Sequence, residues 1–370
     1  MKKIFKFIIP VLSLVAVLLL SACAQTQPAT IEADSAADAP LQVVATIFPQ
    51  FDFVRQIAGD RVDLRMLLSP GAESHGFDPA PRDIIALNNA DLFIYVGGHG
   101  DTWVQPLLAS LDRGDDLRVV TLLDMVEVVM TEIVEGMEVA HDHGHSHDHG
   151  HSHDHDHDHD EHDHSHEHDH DHDDHDHEDE HHDDHGHDHD HNHEEEYDEH
   201  VRTSPRNAIL IVRALTEVLS ELDPANADFF RANAEAYIAE LEEVDRAFAE
   251  VVASAERDIV IFGDRFPFRY LMDAYGLRYY AAFTGCSVET QASPATIAFL
   301  IDQVNAEDIP VVLHIEFSNR LIANVISEAT GARLLEMHSA HNVSHADFNA
   351  GVTYLDIAWA NVEILREALN

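Results

Sequence analysis

Of the 32 histidines in this 370-residue chain, 25 fall between positions 141 and 193, where they alternate mostly with Asp, Glu, Gly and Ser. Imidazole is the commonest metal-binding side chain, and imidazoles interleaved with carboxylates offer many shifting chelate sets for Zn²⁺ and similar ions. Because metal competes with the proton, such binding should weaken as the rings charge below about pH 6.5. Residues 141–199 also hold 26 acidic side chains and no Lys or Arg. With almost nothing apolar to bury, this segment is expected to be a disordered insert that collects metal rather than part of a folded core.

Seven histidines lie elsewhere: His75, His99, His200, His314, His338, His341 and His345. They are scattered along the chain, so any site they form must be assembled by the fold. His75 lies in Pro70-Gly71-Ala72-Glu73-Ser74-His75-Gly76-Phe77-Asp78-Pro79, a loop between a strand and a helix, where α/β sheets place ligand groups. His200 precedes a Ser204-Pro205 helix start, and His99, after Gly97-Gly98, reads as a rim residue. The net charge of −49, from 70 acidic against 21 basic side chains, excludes a nucleic-acid partner, whose phosphates demand Lys and Arg. It suits a protein that handles cations. Two cysteines, Cys23 and Cys286, cannot build a thiolate cage. Outside residues 141–193 no His-Glu-x-x-His pattern of a zinc hydrolase occurs.

The elements that must position these groups alternate strand and helix. Strands are expected at 41–47, 63–68, 91–96 and 118–122, with helices at 49–59, 81–89 and 102–111. After the insert, Ser204 as cap and Pro205 in the first turn open a helix to about residue 222. From 224 to 255, Phe230, Ala234, Tyr237, Leu241, Val244, Phe248 and Val251 repeat at alternating spacings of four and three, the stripe of one long helix. Further strands at 258–262, 278–282, 310–315 and 333–335 alternate with helices at 266–275, 294–305, 320–330 and 348–369. The pattern implies an α/β protein of two lobes, each a mostly parallel sheet flanked by helices, joined by a long spine helix. The N-terminal lobe is expected at 41–223, the connecting helix at 224–255 and the C-terminal lobe at 256–370. Ahead of them Lys2, Lys3 and Lys6 precede an apolar run of about 14 residues, short of the roughly 20 that span a bilayer. Residues 1–22 therefore read as an export signal and 23–40 as a flexible tether. Leu20-Ser21-Ala22-Cys23 resembles the bacterial lipoprotein box, which implies a lipid on Cys23 and an extracytoplasmic, membrane-anchored protein.

Several landmarks recur in a familiar order: Glu73-Ser74-His75 with Asp78-Pro79, Ala90-Asp91-Leu92, the His-rich insert ahead of Asp198-Glu199-His200 and Ser204-Pro205-Arg206-Asn207-Ala208, Asn233-Ala234-Glu235-Ala236-Tyr237, and Thr330-Gly331-Ala332. From about residue 41 to 370 the chain resembles the metal-binding lipoproteins of zinc and manganese ABC importers, on their zinc-specific (ZnuA/AdcA-like) side. The resemblance implies a monomeric binding protein, not an enzyme, that captures Zn²⁺ between its lobes and delivers it to an ABC permease at the membrane surface. It also implies one ligand from each of four loops. By position His75 and His200 are the first two. The third place, usually a His, falls in Phe262-Gly263-Asp264-Arg265-Phe266-Pro267-Phe268, where Asp264 is the metal-competent group, with helix capping as its other role. The fourth, counted from Thr330-Gly331-Ala332, falls on His338, with His341 and His345 as rivals and Glu316 as a substitute carboxylate. Three imidazoles and one carboxylate suit tetrahedral Zn²⁺, whereas Mn²⁺ prefers more oxygen donors. The alternatives are the same role for Mn²⁺, or a metal-storage or adhesin lipoprotein dominated by the insert.

Overall fold

The structure, a computed structural model, describes residues 39–72, 77–112, 116–137, 197–285, 287 and 291–370. The signal segment, Cys23, His75 and the His-rich segment 141–193 lie outside the described residues.

Two four-stranded parallel sheets form the two lobes. In the first, β1 (Leu41–Ala45), β2 (Val62–Met66), β3 (Leu92–Tyr95) and β4 (Arg118–Thr121) are arranged β2-β1-β3-β4. In the second, β5 (Ile259–Phe266), β6 (Arg278–Thr284), β7 (Val311–His314) and β8 (Arg333–Glu336) repeat that order as β6-β5-β7-β8. Parallel strands need crossovers that cover both faces, which is why the central strands read as unbroken apolar runs. Successive residues enter different cores: Val43 packs toward the spine and Val44 toward the outer helices, as do Val260 and Ile261 in the second lobe.

In the first lobe the crossovers are α1 (Phe48–Ala58), α2 (Pro81–Asn89) and α3 (Val104–Ala109). Between the lobes run α4 (Pro205–Leu222) and α5 (Ala227–Ala253). Ser204 precedes α4 through its backbone, since its side chain makes no capping bond. The long helix has 27 residues, about 40 Å at ~1.5 Å per residue, and all seven stripe residues are buried. It packs on α1 and α4, and on the C-terminal helix α10 (Tyr354–Ala368) of the other lobe. One apolar core runs continuously from Val43 to Leu369 through this seam.

The second lobe adds α6 (Arg269–Tyr275), α7 (Pro294–Ala306), α8 (Leu321–Thr330) and α9 (His345–Ala350). Two expectations change here. The helix expected from 266 starts at Arg269, because β5 continues through a register shift between Phe262 and Arg265 as far as Phe266. The single helix expected at 348–369 is two: Gly351 turns left-handed (φ 79°), and Thr353 restarts the chain with a capping box to Asp356. No described helix is long and apolar enough to cross a membrane.

Candidate metal centre

The strands of both sheets end at a shared cleft, the usual ligand position for open α/β sheets. Its walls come from Ala72 after β2, Glu199, His200 and Arg202 before α4, and Arg265 and Pro267 at the end of β5. Gly285 after β6, Ile315, Glu316 and Phe317 after β7, and Ser339 and His341 after β8 complete them. The free volume is about 60 Å³, well below that of a typical small-molecule pocket.

His200 is buried, and its orientation is over-determined. Asp198 Oδ1 accepts the His200 backbone N–H at 2.8 Å and lies 3.0 Å from ring Nδ1. A carboxylate on one ring nitrogen leaves the other as the donor to a metal. Gly285 packs against the ring as well: a Cβ there would lie 2.6 Å from His200 Cε1 and 3.0 Å from its Nδ1. Asp198 is itself anchored: its N–H donates to the Val129 carbonyl at 2.9 Å, and the Tyr270 hydroxyl donates to its carbonyl at 2.7 Å. Burial pushes the Tyr270 hydroxyl up to about 12, so it stays a donor. Beside this bond, Met130 and Tyr197 form an antiparallel bridge. The two flanks of the His-rich segment therefore meet next to the cleft.

From the second lobe, buried Glu316 accepts the Ser339 N–H (2.7 Å) on one oxygen and the Ser339 hydroxyl (2.6 Å) on the other. Ala340 adopts φ 57°, a left-handed turn that costs an L-residue about 1–2 kcal/mol. The turn separates Ser339 from His341, which lines the cleft. Asn342 then donates to the Ser69 and Ala72 carbonyls at 2.8 Å each, and Gly71 N–H donates to the Val343 carbonyl at 2.8 Å. The loop carrying His341 is thus bonded to the loop that leads to His75.

The other expected ligands are placed elsewhere. Asp264 does not line the cleft and does not cap α6. Its carboxylate accepts the N–H of Arg265 (2.8 Å) and of Ile315 (3.4 Å), tying the β5 irregularity to the end of β7. It is Arg265, one residue on, that reaches the cleft. His338 lines a narrow recess with Arg202, Tyr354 and Asn361; its Nδ1 accepts the Ala340 N–H at 3.0 Å and lies 3.7 Å from Glu316 Oε1. His314 is buried against the Ile315 carbonyl, while His345 and His99 are exposed. Among the described residues no three His, Cys, Asp or Glu side chains close into a metal-holding group. Sequence reasoning did not single out Arg265, Gly285 or the role of Asp198. Only Asp198 left a readable signal, a carboxylate two residues before a candidate ligand.

Two matching parallel lobes on one long helix, with a small imidazole- and carboxylate-lined cleft between them, define a two-lobed binding protein. The chain belongs to the ZnuA family, described as zinc-uptake complex component A, periplasmic, which matches residues 43–368. That family is a transport component and not a class of enzyme. The zinc-binding lipoprotein AdcA of Streptococcus pneumoniae (strain ATCC BAA-255 / R6) is 27% identical over 331 residues, 90% of this chain and 56% of AdcA. The chain therefore spans about half the length of that relative. The high-affinity zinc uptake system protein ZnuA of Bacillus subtilis (strain 168) is 26% identical over 352 residues, 95% of this chain and 94% of that protein. Among solved structures, the Zn(II)-bound ZnuA-like domain of Streptococcus pneumoniae AdcA superposes with a TM-score of 0.64 at 23% identity, covering 90% of this chain and 99% of that one. The laminin-binding protein of Streptococcus agalactiae has the same fold, with a TM-score of 0.63 at 19% identity over 89% of this chain and 100% of that one.

Proposed function

We propose that this protein captures Zn²⁺ in the inter-lobe cleft outside the cytoplasm and passes it to an ABC permease. In this reading Cys23 carries the lipid that holds it at the membrane, and residues 141–193 gather metal for the cleft. The observation that carries it is that His200, Glu316 and His341 line one small cleft at the strand ends of two lobes. His200 is already aimed by Asp198. His75 follows Ala72 by three residues, a reach of about 10 Å, and Ala72 lines the same space. We assign the three imidazoles to His75, His200 and His341, with an oxygen donor in the fourth place. His341 takes the role expected of His338, and Asp264 has no ligand role. A nitrogen-rich, four-coordinate set favours Zn²⁺ over Mn²⁺.

The test is a Zn²⁺ titration of the protein with residues 141–193 deleted, a change the paired flanks at Met130 and Tyr197 should tolerate. One tight site should survive the deletion, weaken on His200→Ala or His341→Ala, and change little on His338→Ala. Loss of all tight binding with the deletion would favour a storage protein, and a preference for Mn²⁺ would overturn the ligand chemistry.

A further inference from the structure

The chain on either side of the His-rich segment is gripped by the second lobe. Residues 129–136 follow β4 of the first sheet, yet Glu132 pairs with Arg269 at the start of α6 and accepts the Tyr279 hydroxyl of β6 at 2.8 Å. Gly136 lies against the Phe299 ring of α7. Next to Arg269 on α6 stands Tyr270, only 5% exposed. Its hydroxyl accepts the Val129 N–H at 3.3 Å and donates to the Asp198 carbonyl at 2.7 Å. The Asp198 N–H donates in turn to the Val129 carbonyl at 2.9 Å. These bonds close a ring that joins Val129, ahead of the His-rich segment, and Asp198, after it, to α6.

Asp198 is also the residue that holds the cleft imidazole. Its Oδ1 accepts the His200 backbone N–H at 2.8 Å and lies 3.0 Å from ring Nδ1. The second lobe reaches the same ring directly as well, since Gly285 follows β6 and packs against it. His200 itself stands ahead of α4, one of the two helices between the lobes, so its aim depends on groups carried by a different part of the fold. The margin is small: an O–H···O bond of 2.7 Å leaves bonding range after about 0.5–1 Å of stretch. Buried groups that lose a partner carry the full cost of desolvation, which keeps the bond made while α6 stays in place.

We propose that Tyr270 is a positioning residue for metal capture: its hydroxyl, acting through Asp198, fixes the metal-facing orientation of the His200 ring and ties that orientation to the placement of the second lobe. A displacement of α6 by about 1 Å breaks the bond to Asp198 and loosens His200 without parting the lobes. Tyr270 touches no ion; it acts on the segment that carries the ligand. This rests on the metal occupying the cleft as proposed above.

The test uses the full chain with metal held by a chelator buffer, so that only the tightest site fills, and His200→Ala as the blank. Zn²⁺ affinity, the visible spectrum of bound Co²⁺ and the urea midpoint of the apo protein are read on each variant. Tyr270→Phe removes one oxygen and keeps the ring. It should weaken Zn²⁺ binding about tenfold or more, the usual loss when a partner behind a ligand is removed, and shift the Co²⁺ bands. In an Asp198→Ala background the same change should cost less than about twofold, because residues acting along one path are not additive. Arg269→Gln frees Glu132 of the same segment but keeps the hydroxyl, and should hold Zn²⁺ within about twofold of wild type. A Tyr270→Phe protein with a lowered urea midpoint but wild-type affinity and Co²⁺ bands overturns the proposal and leaves the zinc reading intact. So does a full loss retained in the Asp198→Ala background, or an equal loss in Arg269→Gln, which would mean general loosening. Identical behaviour of wild type and the His200→Ala blank removes the cleft reading, and the role of Tyr270 with it.

Discussion

Replacing Gly285 by Ala should disable the cleft while leaving the fold standing. The added methyl would lie 2.6 Å from His200 Cε1, 3.0 Å from its Nδ1 and 2.9 Å from the Phe266 carbonyl oxygen. Non-bonded carbon contacts settle near 3.5–4.0 Å, so the ring must withdraw by about 1 Å. The Phe266 carbonyl ends β5 and has little freedom to follow. The ring is also held by Asp198, 3.0 Å from Nδ1. A displacement of that size either stretches this bond out of hydrogen-bonding range or swings the metal-facing nitrogen off its line. Losing an orienting partner typically costs 10–100-fold in metal affinity, and overpacking a tight site costs about 1–3 kcal/mol of stability. Zn²⁺ competition against a chromophoric chelator, with His200→Ala as the floor, reads the first quantity and urea unfolding of the apo protein reads the second. A Gly285→Ala protein that holds Zn²⁺ within about twofold of wild type would show that ring orientation does not govern binding, contrary to the usual dependence on such partners.

Ala340→Val places a β-branched residue at φ 57°, where it is a steric outlier. Stability should fall by about 2 kcal/mol, and Zn²⁺ affinity should fall with it because His341 follows the turn; unchanged affinity would detach His341 from the site. Asp101 gives a pH dependence. Burial, reinforced by nearby Glu199, pushes its carboxyl up to about 6 despite bonds from the Gly97 and Val96 N–H groups. A raised carboxyl favours the protonated form in the folded state, so its contribution is complete below about pH 4 and disappears as pH rises through 6. Asp101→Asn should flatten the apo protein's stability profile across that window, by at most about 3 kcal/mol; an unchanged slope in urea midpoints would refute it. Small-angle scattering of apo and Zn²⁺-loaded protein should differ only as packed-helix shifts of about 1–2 Å would, and a large fall in radius of gyration would count against a rigid spine.

Elements with strong local signals were legible. Helix α2 runs over 81–89 as expected because Pro81 sets its first turn and the strand after Asp91 limits its end. The spine stripe from Phe230 to Val251 is buried at every position, since its 3.5-residue average spacing admits one reading. The break before α10 was readable in principle, from Gly351 and Thr353-x-x-Asp356, but the apolar periodicity on both sides obscured it. At the site, His200 could be picked out only through the family resemblance, from its place just ahead of Ser204-Pro205-Arg206-Asn207-Ala208. That His341 lines the cleft could not be foreseen, because Ala340's left-handed turn and the bonds from Asn342 to Ser69 and Ala72 place its loop there. Those partners lie some 270 residues apart in the chain, and no local pattern reports them. The facing of Asp264 and Arg265 was hidden for a similar reason: an irregularity in β5 ties the Asp264 carboxylate to backbone N–H groups and brings its neighbour to the cleft wall.

The seam between the lobes constrains how cargo can enter and leave. Asp52 on α1 accepts the Tyr354 N–H of α10 at 2.6 Å, Arg55 donates to the Val352 carbonyl at 3.1 Å, and the Phe53 and Tyr354 rings meet edge-on at 4.9 Å. The Tyr354 hydroxyl donates to the Arg202 carbonyl at 2.7 Å. Swinging the lobes apart would strip these buried groups of partners, at about 1–3 kcal/mol each, and split the apolar core that both lobes share. Wide opening is therefore far more costly than rearranging the strand-end loops. Exchange must proceed by replacing ligands one at a time on the open side of the cleft, where Phe317 is 42% exposed.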